Sequence, residues 1–315
     1  MSVSVLTADD LAARTRRAVA AAVQGGRELG LAVADGEVLH DAFSVIVRLV
    51  PAPVVVRVPV ALPVGLDLEA QAARQRREIA VVRWLQERGA AVVGPSPLVP
   101  GEPVQRDGFS MTFWELVEVD AGAAPDYVAD VRYAAELHAA LRGCSVPLPF
   151  LGPLKHTVPS CLAFLERNTE LIAAADLERA RAEWRRLAPV LSSEEAFTGA
   201  FPGVGVQVIH GDAPSYNLIR TPGGALFADF EDVTLGPVEW DVAGFGPEAA
   251  AQYDAAASRI GLRPLDREVL RVMDAARSLQ GVASLALTAQ LPSLPEWLGP
   301  WLEQWRSSPF AGGLA

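Results

Sequence analysis

The spacing of apolar positions changes character along the chain, and each change marks a structural boundary. Over residues 7–23 alanine, leucine and valine recur at helical spacing behind Thr7, Asp9 and Asp10, which predicts an amphipathic helix capped at Thr7 and ended by Gly25-Gly26. From 42 to 60 the residues become β-branched, in two runs, 43–50 and 54–60, separated by Pro51-Ala52-Pro53, so an antiparallel hairpin is expected. Residues 67–88 return to helical spacing, with Ile79, Val82 and Leu85 on one face and Gly89 at the end. Pro95, Pro97, Pro100 and Pro103 then break the chain, and 108–118 reads as a third major strand or a strand pair.

Beyond Asp120-Ala121-Gly122 the pattern is helical almost to the end, interrupted by one block of strands and loops over 204–246. The fold class this implies is α+β, with two unlike halves: a small β-rich lobe over 1–118 and a large, mainly helical lobe over 119–315, hinged near 117–124. Residues 309–315, with two glycines, read as a loose tail.

Composition narrows the function classes. Half of the 315 residues are hydrophobic, enough for a sizeable core. There is no apolar run of about eighteen residues, and residues 1–10 lack the basic-then-apolar pattern of a secretory signal, so a soluble cytoplasmic location with no membrane partner is expected. A net charge of -11 argues against nucleic acid as a partner, since a nucleic-acid binder needs a basic face, and suits a cationic substrate. Cys144 and Cys161 form no CxxC pair and read as inert thiols. Lys155 is the only lysine, so a phosphate-binding cation anywhere else must be an arginine. No feature of the sequence bears on oligomeric state.

The chemistry concentrates in Val206-Gln207-Val208-Ile209-His210-Gly211-Asp212-Ala213-Pro214-Ser215-Tyr216-Asn217, followed by Leu226-Phe227-Ala228-Asp229-Phe230-Glu231. One apolar strand delivers His-Gly-Asp, a short loop delivers Asn217, and a second apolar strand delivers Asp229. Phosphoryl transfer accounts for this spacing. One carboxylate faces the attacking hydroxyl, while an oxygen ligand from the same loop and a second carboxylate hold Mg2+ against the phosphates. Asp212, Asn217 and Asp229 supply those parts; the bland alternative makes them a turn, a loop cap and a strand end.

HGDAPSYN, ADFE and then GPVEWDVAGF together resemble the aminoglycoside phosphotransferase and choline kinase group, relatives of the protein kinases. The resemblance implies a two-lobed, protein-kinase-like fold with the nucleotide between the lobes, Asp212 as the catalytic aspartate and Asn217 and Asp229 as Mg2+ ligands. It also implies that Asp241 braces the catalytic loop, a role compatible with a helix N-cap, and that His210 is structural within that loop. In the N-terminal half, Val54-Val55-Val56-Arg57-Val58 resembles the strand carrying the family's phosphate-contacting cation, usually lysine, and Glu78 resembles its helix partner. Arg48 is the chief rival to Arg57, and the bland readings are an exposed sheet residue for Arg57 and a solvated helix position for Glu78. No GxGxxG precedes the hairpin, so the phosphate-covering turn falls at 39–44, with Ser44 as a contact. The base would meet backbone at 114–117, including Glu115 and Val117, with Trp114 either part of that contact or ordinary core. His138, in a Leu-His pair, reads as structural. Glu231, Asp232 and Glu239 are candidates for binding amino groups of a substrate.

The function implied is Mg2+-dependent transfer of the γ-phosphate of ATP or GTP to a hydroxyl of a small molecule, an aminoglycoside or other antibiotic first. The alternatives are a kinase of a non-antibiotic sugar or amino alcohol, and a nucleotide-binding pseudokinase with a regulatory role.

Overall fold

The computed structural model describes residues 4–212 and 214–314. The chain opens with helix α1 (Ala8–Glu28), where Thr7 and Asp10 form a reciprocal capping box. It runs five residues past the predicted end, straight through Gly25-Gly26. The glycines do not terminate it because they are its contact with the sheet: a Cβ on Gly26 would meet Leu49 Cδ1 at 2.7 Å.

Strands β1 (Val33–Asp41), β2 (Ser44–Pro51) and β3 (Val54–Pro59) follow, then helix α2 (Leu68–Gln86) and the strand pair β4 (Val104–Arg106) and β5 (Phe109–Glu115). They form a five-stranded antiparallel sheet in the order β1-β2-β3-β5-β4. Pleating sorts the faces of β3. Val54, Val56 and Val58 bury against the α1 side with Val45, Val47, Leu49, Met111 and Phe113, and alternation turns Arg57 to the opposite face, where α2 lies. There Gln75 of α2 donates to the Ser110 carbonyl at 3.0 Å and fixes the helix to β5.

The rest is mainly helical: α3 (Val131–Leu141), α4 (Gly152–Arg167), α5 (Ala174–Leu191) and α6 (Glu194–Ala200) precede short strands β6 (Gln207–Ile209), β7 (Leu218–Thr221), β8 (Gly224–Phe227) and β9 (Thr234–Gly236), and then come α7 (Glu239–Val242), α8 (Gly246–Arg259), α9 (Arg267–Ala283) and α10 (Leu294–Ser307). β6 pairs with β9 and β7 with β8, each antiparallel. The helical lobe has its own core around Leu154, Leu187, Trp240 and Met273. A second apolar cluster spans the lobes, joining Ile79, Val82 and Leu85 of α2 and Trp114 to Leu137, Val208, Phe227 and Phe230. Trp114 is therefore core, and its indole N–H donates to Thr112 Oγ1 at 2.8 Å.

The expected loose tail is instead docked. Ala311 is fully buried, and a Cβ on Gly312 would meet the Arg271 carbonyl oxygen at 2.5 Å, so the segment lies tight on α9; Ala315 lies outside the described residues. Among those residues, no helix is long and apolar enough to cross a membrane. Cys144 and Cys161 are free, and burial pushes the Cys161 thiol up to about 11.

Candidate active site

The loop between β6 and β7 is held from below by Asp241. Its Oδ2 accepts from the His210 N–H and its Oδ1 from the Gly211 N–H, both at 2.8 Å, and His138 Nε2 lies 2.9 Å from Oδ2. Burial alone would raise this carboxyl, but the His138 hydrogen bond, the two histidines and the Gly211 amide outweigh it and hold it below the usual carboxylate range. Tyr253 hydroxyl, 2.9 Å from His138 Nδ1, completes the support. Gly211 has φ +88, and a Cβ there would sit 1.9 Å from the Asp232 carbonyl oxygen, so only glycine allows this approach.

His210 is turned inward. Its Nε2 lies 3.0 Å from the Ala228 carbonyl, its Nδ1 is within 3.4 Å of the Asp212 N–H, and its ring packs on Phe230. A neutral ring protonated on Nε2 satisfies both contacts. Asp212 is half-exposed above it. Asn217 Nδ2 donates to both the Asp212 carbonyl and Asp212 Oδ2 at 3.2 Å, which leaves the Asn217 amide oxygen for another partner.

Asp229 follows β8 in a left-handed conformation, φ +58, uncommon for a non-glycine residue and tolerated best by Asp and Asn. The turn brings it to Arg57 of β3. Arg57 is buried, and its guanidinium forks: one nitrogen bonds Glu78 of α2, and the other bonds Asp229 and also Glu231, the latter at 2.6 Å. Arg48 sits exposed on β2 with Glu37 at 3.5 Å, far from this network in both burial and pairing. Arg74 extends the network to Glu231 at 3.2 Å and Asp232 at 2.6 Å.

Three carboxylates thus share one buried guanidinium. Burial, opposed by Arg57 but reinforced by Asp229 and Glu231, pushes Glu78 up to about 8. Burial, opposed by Arg74, pushes Asp232 up to about 6, and Asp229 is raised for the same leading reason. Glu231 goes down because Arg57 and Arg74 together overcome its burial. The stability consequence has a definite sign. Between the ordinary values of 4.5 and 3.8 and the folded values of about 8 and about 6, the folded chain holds protons that the unfolded chain has released. Stability therefore falls as pH rises through those windows. Thermal melts of metal-free protein should give a Tm a few degrees lower at pH 8.5 than at pH 6, and Glu78→Gln should flatten the upper part of that fall. Equal slopes for variant and wild type would show that Glu78 is ionised throughout.

Asp212, Asp229, Glu231 and Asp232 line one cavity of about 430 Å³, together with Phe43 from the β1–β2 turn and Ser44 at the start of β2. Its far wall comes from α4, α9 and α10. Glu115 and Val117 lie outside it at the end of β5, where the Glu115 N–H donates to Gly94 and the Leu116 N–H to Pro53. Two sequence expectations need correction. Glu239 is fully buried beneath the loop, its oxygens taken by Arg263 at 2.6 and 3.0 Å and by the Asp266 N–H, so it cannot meet a substrate. Glu231 and Asp232 do face the cavity, but as partners of Arg57 and Arg74 rather than as open carboxylates.

Arg277 of α9 was not foreseen. Its guanidinium stacks 4.2 Å over Trp240, touches the Gly211 and Trp240 carbonyls at 3.3 Å, and approaches Asp212 Oδ1 at 3.5 Å. No motif marks it, because it reaches the loop from 66 residues away in sequence.

A model of the phosphotransferase enzyme family matches residues 39–288, most of the chain. The chain belongs to that family. It is a phosphotransferase with an alcohol group as acceptor, built on a kinase-like fold. No curated protein matches it at the level of sequence. Solved structures do match the fold of the phosphotransferase. An amicoumacin kinase in complex with AMP-PNP, Ca2+ and Ami superposes with TM-score 0.62 at 12% identity, covering 98% of each chain. A choline/ethanolamine kinase family protein from Mesorhizobium loti gives TM-score 0.58 at 14% identity over 92% of this chain and 97% of its own. A spectinomycin phosphotransferase in complex with ADP and spectinomycin gives TM-score 0.55 at 10% identity over 93% and 96%.

Proposed function

We propose that this phosphotransferase moves the γ-phosphate of ATP or GTP, with Mg2+, to a hydroxyl of a small molecule, with Asp212 facing the acceptor. One observation carries the reading. Asp212 from one loop and Asp229 from another line a single cavity, and the arginine that reaches Asp229 is itself anchored on Glu78. We assign nucleotide binding to a lobe of residues 1–118 and catalysis and acceptor binding to residues 119–315.

The donor set suits Mg2+. Among the described residues, His, Cys, Asp and Glu do not gather in threes as a ready metal cluster, and Mg2+ asks for none: one amide oxygen and one carboxylate suffice when phosphates and water complete the shell. Asn217, whose amide N–H groups are engaged by Asp212, offers its oxygen, and Asp229 its carboxylate. Bound there, Mg2+ would neutralise charge on the phosphate oxygens. Arg57, held by Glu78, would contact the α- and β-phosphates, and Ser44 at the start of β2 the outer phosphate. The base would meet the Glu115 carbonyl and the Val117 N–H, because the Glu115 and Leu116 N–H groups already have partners.

In the transfer step the acceptor oxygen bonds the γ-phosphorus while the bond from that phosphorus to the β,γ-bridging oxygen breaks. ADP or GDP leaves with that electron pair, and the hydroxyl proton passes to Asp212 late in the step. Positioning by the loop carries most of the acceleration. His210 and Asp241 serve as supports of the catalytic loop.

Labelled γ-phosphate transfer from ATP and from GTP tests this, with aminoglycosides, other hydroxylated antibiotics, sugars and amino alcohols as acceptors. A labelled product in the presence of Mg2+ is expected. Nucleotide binding with no product across the panel would favour the pseudokinase alternative, and no nucleotide binding would sink the reading. The net charge of -11 favours an aminoglycoside among antibiotics, but the acceptors named for the similar structures differ from one another, so the acceptor class has to come from this chain's own cavity.

A further inference from the structure

The two sides of the cavity have opposite chemistry. Every carboxylate among its described lining residues sits on the catalytic side, and each has a cation at hand: Glu231 has Arg57 and Arg74, Asp232 has Arg74, Asp229 has Arg57 and Asp212 has Arg277. The facing wall, from α4, α9, the turn after α9 and α10, presents Pro153, Leu287, Leu298 and Trp301, with the Thr157 and Ser284 hydroxyls, Gln280 and the Arg277 guanidinium as its polar points and no carboxylate.

The aromatic part of this wall is built rather than incidental. A Cβ on Gly281 would meet Trp301 Nε1 at 2.6 Å, and a Cβ on Gly244 would meet Trp301 Cη2 at 3.0 Å, so two glycines clear the space the indole occupies. The indole N–H reaches the Ser278 carbonyl at 3.4 Å, which fixes the ring further. Leu298 packs beside it on the cluster of Ala61, Leu287, Leu291 and Leu294. That cluster is tied to the N-terminal lobe by Gln290, whose side chain pairs with both backbone groups of Leu62 at 3.0 and 3.1 Å. Arg277 is nine-tenths buried; its Nη1 donates to Gln280 Oε1 at 3.1 Å and its Nη2 touches the Gly211 and Trp240 carbonyls, so its positive charge is held in place at the cavity edge.

Resting on the proposed phosphotransfer at Asp212, we infer that the acceptor is a hydroxylated molecule with a flat, apolar or aromatic face and no cluster of positive charges. Its apolar face lies on Trp301 and Leu298, and a neutral or anionic polar group meets Arg277 and Gln280. A polyamine sugar is disfavoured by two costs. Its ammonium groups would lose water against a wall that offers no carboxylate, and they would approach a fixed guanidinium. The acidic overall charge of the chain does not offset this, because the carboxylates that reach the cavity lie on its catalytic side and not on this wall.

The test uses the full chain with Mg2+ and nucleotide. Transfer of labelled phosphate is measured to chloramphenicol and 4-nitrobenzyl alcohol as neutral aromatic alcohols, and to kanamycin as a polycation. In parallel, tryptophan fluorescence is titrated with 4-nitrobenzyl alcohol, a quencher, in the wild type, Trp301→Ala and Leu298→Asp. The expected results are a kcat/KM at least about tenfold higher for the aromatic alcohols than for kanamycin, and saturable quenching weakened at least about tenfold in Trp301→Ala. Leu298→Asp, which places a carboxylate on the wall, should weaken the nitroaromatic and strengthen kanamycin. Transfer to kanamycin as fast as to the aromatic alcohols overturns the inference and leaves phosphotransfer standing. If no acceptor is labelled, the fluorescence arm decides: absence of saturable quenching, or quenching indifferent to Trp301→Ala, overturns it. Loss of nucleotide binding in the same samples counts against phosphotransfer instead.

Discussion

Asp212→Asn should lower kcat by at least about 100-fold while leaving the KM for nucleotide within a few-fold of wild type. The amide keeps the size and the Asn217 hydrogen bond to the loop but cannot receive the acceptor proton. Because the carboxylate is half-exposed and acts mainly on the acceptor side, ground-state binding of nucleotide should barely register its loss. The loop itself should survive, since its anchors are the Asp241 contacts to the His210 and Gly211 amides, none of which involves the Asp212 carboxylate. Steady-state kinetics with unchanged melting behaviour would be the expected pair of results. Turnover near the wild-type rate would remove Asp212 from its assigned role and turn attention to Asp229 or Asp232 as the proton acceptor.

The parts of the site that were legible in the sequence are those whose geometry is local. Asp212 and Asn217 share one loop, and Asp229 ends the next hairpin, so their spacing alone brings them near one another. Arg57 was legible for a related reason: Val54, Val56 and Val58 must face the core, so alternation sends Arg57 the other way, toward α2. What escaped depends on distant packing. β1 is an edge strand with Val33 its only buried residue, and it carries no apolar alternation to reveal it. Gly25-Gly26 looked like a helix end because glycine usually is one; here tertiary contact with Leu49 turned the pair into a packing surface. Glu239 was grouped with Glu231 and Asp232 by proximity in sequence, but β9 and the turn into α7 carry it beneath the loop. Arg277 and Trp301 come from helices whose sequences read as ordinary amphipathic segments, and only the fold aims them at the cavity.

Arg57→Ala should cost more than a nucleotide contact. In the folded chain Glu78, Asp229 and Glu231 converge on that one buried guanidinium. Removing one partner of a buried ion pair typically destabilises by about 3–5 kcal/mol, because the remaining charge stays buried without compensation. The variant should therefore melt well below wild type, and the gap should depend on pH. Without Arg57 the carboxyl values rise further, so the folded variant holds more protons than the unfolded chain over a wider range, and its stability falls more steeply as pH rises. The deficit should be smaller near pH 5.5 than at pH 8. Arg57→Lys should recover only part of it, since one ammonium cannot span Glu78 on one side and Asp229 with Glu231 on the other as the planar fork does. Adding Glu78→Gln to Arg57→Ala should restore some stability by removing one of the stranded charges, which a double-mutant cycle would read directly. In whatever fraction remains folded, the KM for nucleotide should rise with a smaller change in kcat. A variant that melts like wild type at pH 8 would mean the three carboxylates do not depend on Arg57, and an unchanged KM would mean that the phosphates find their cation elsewhere.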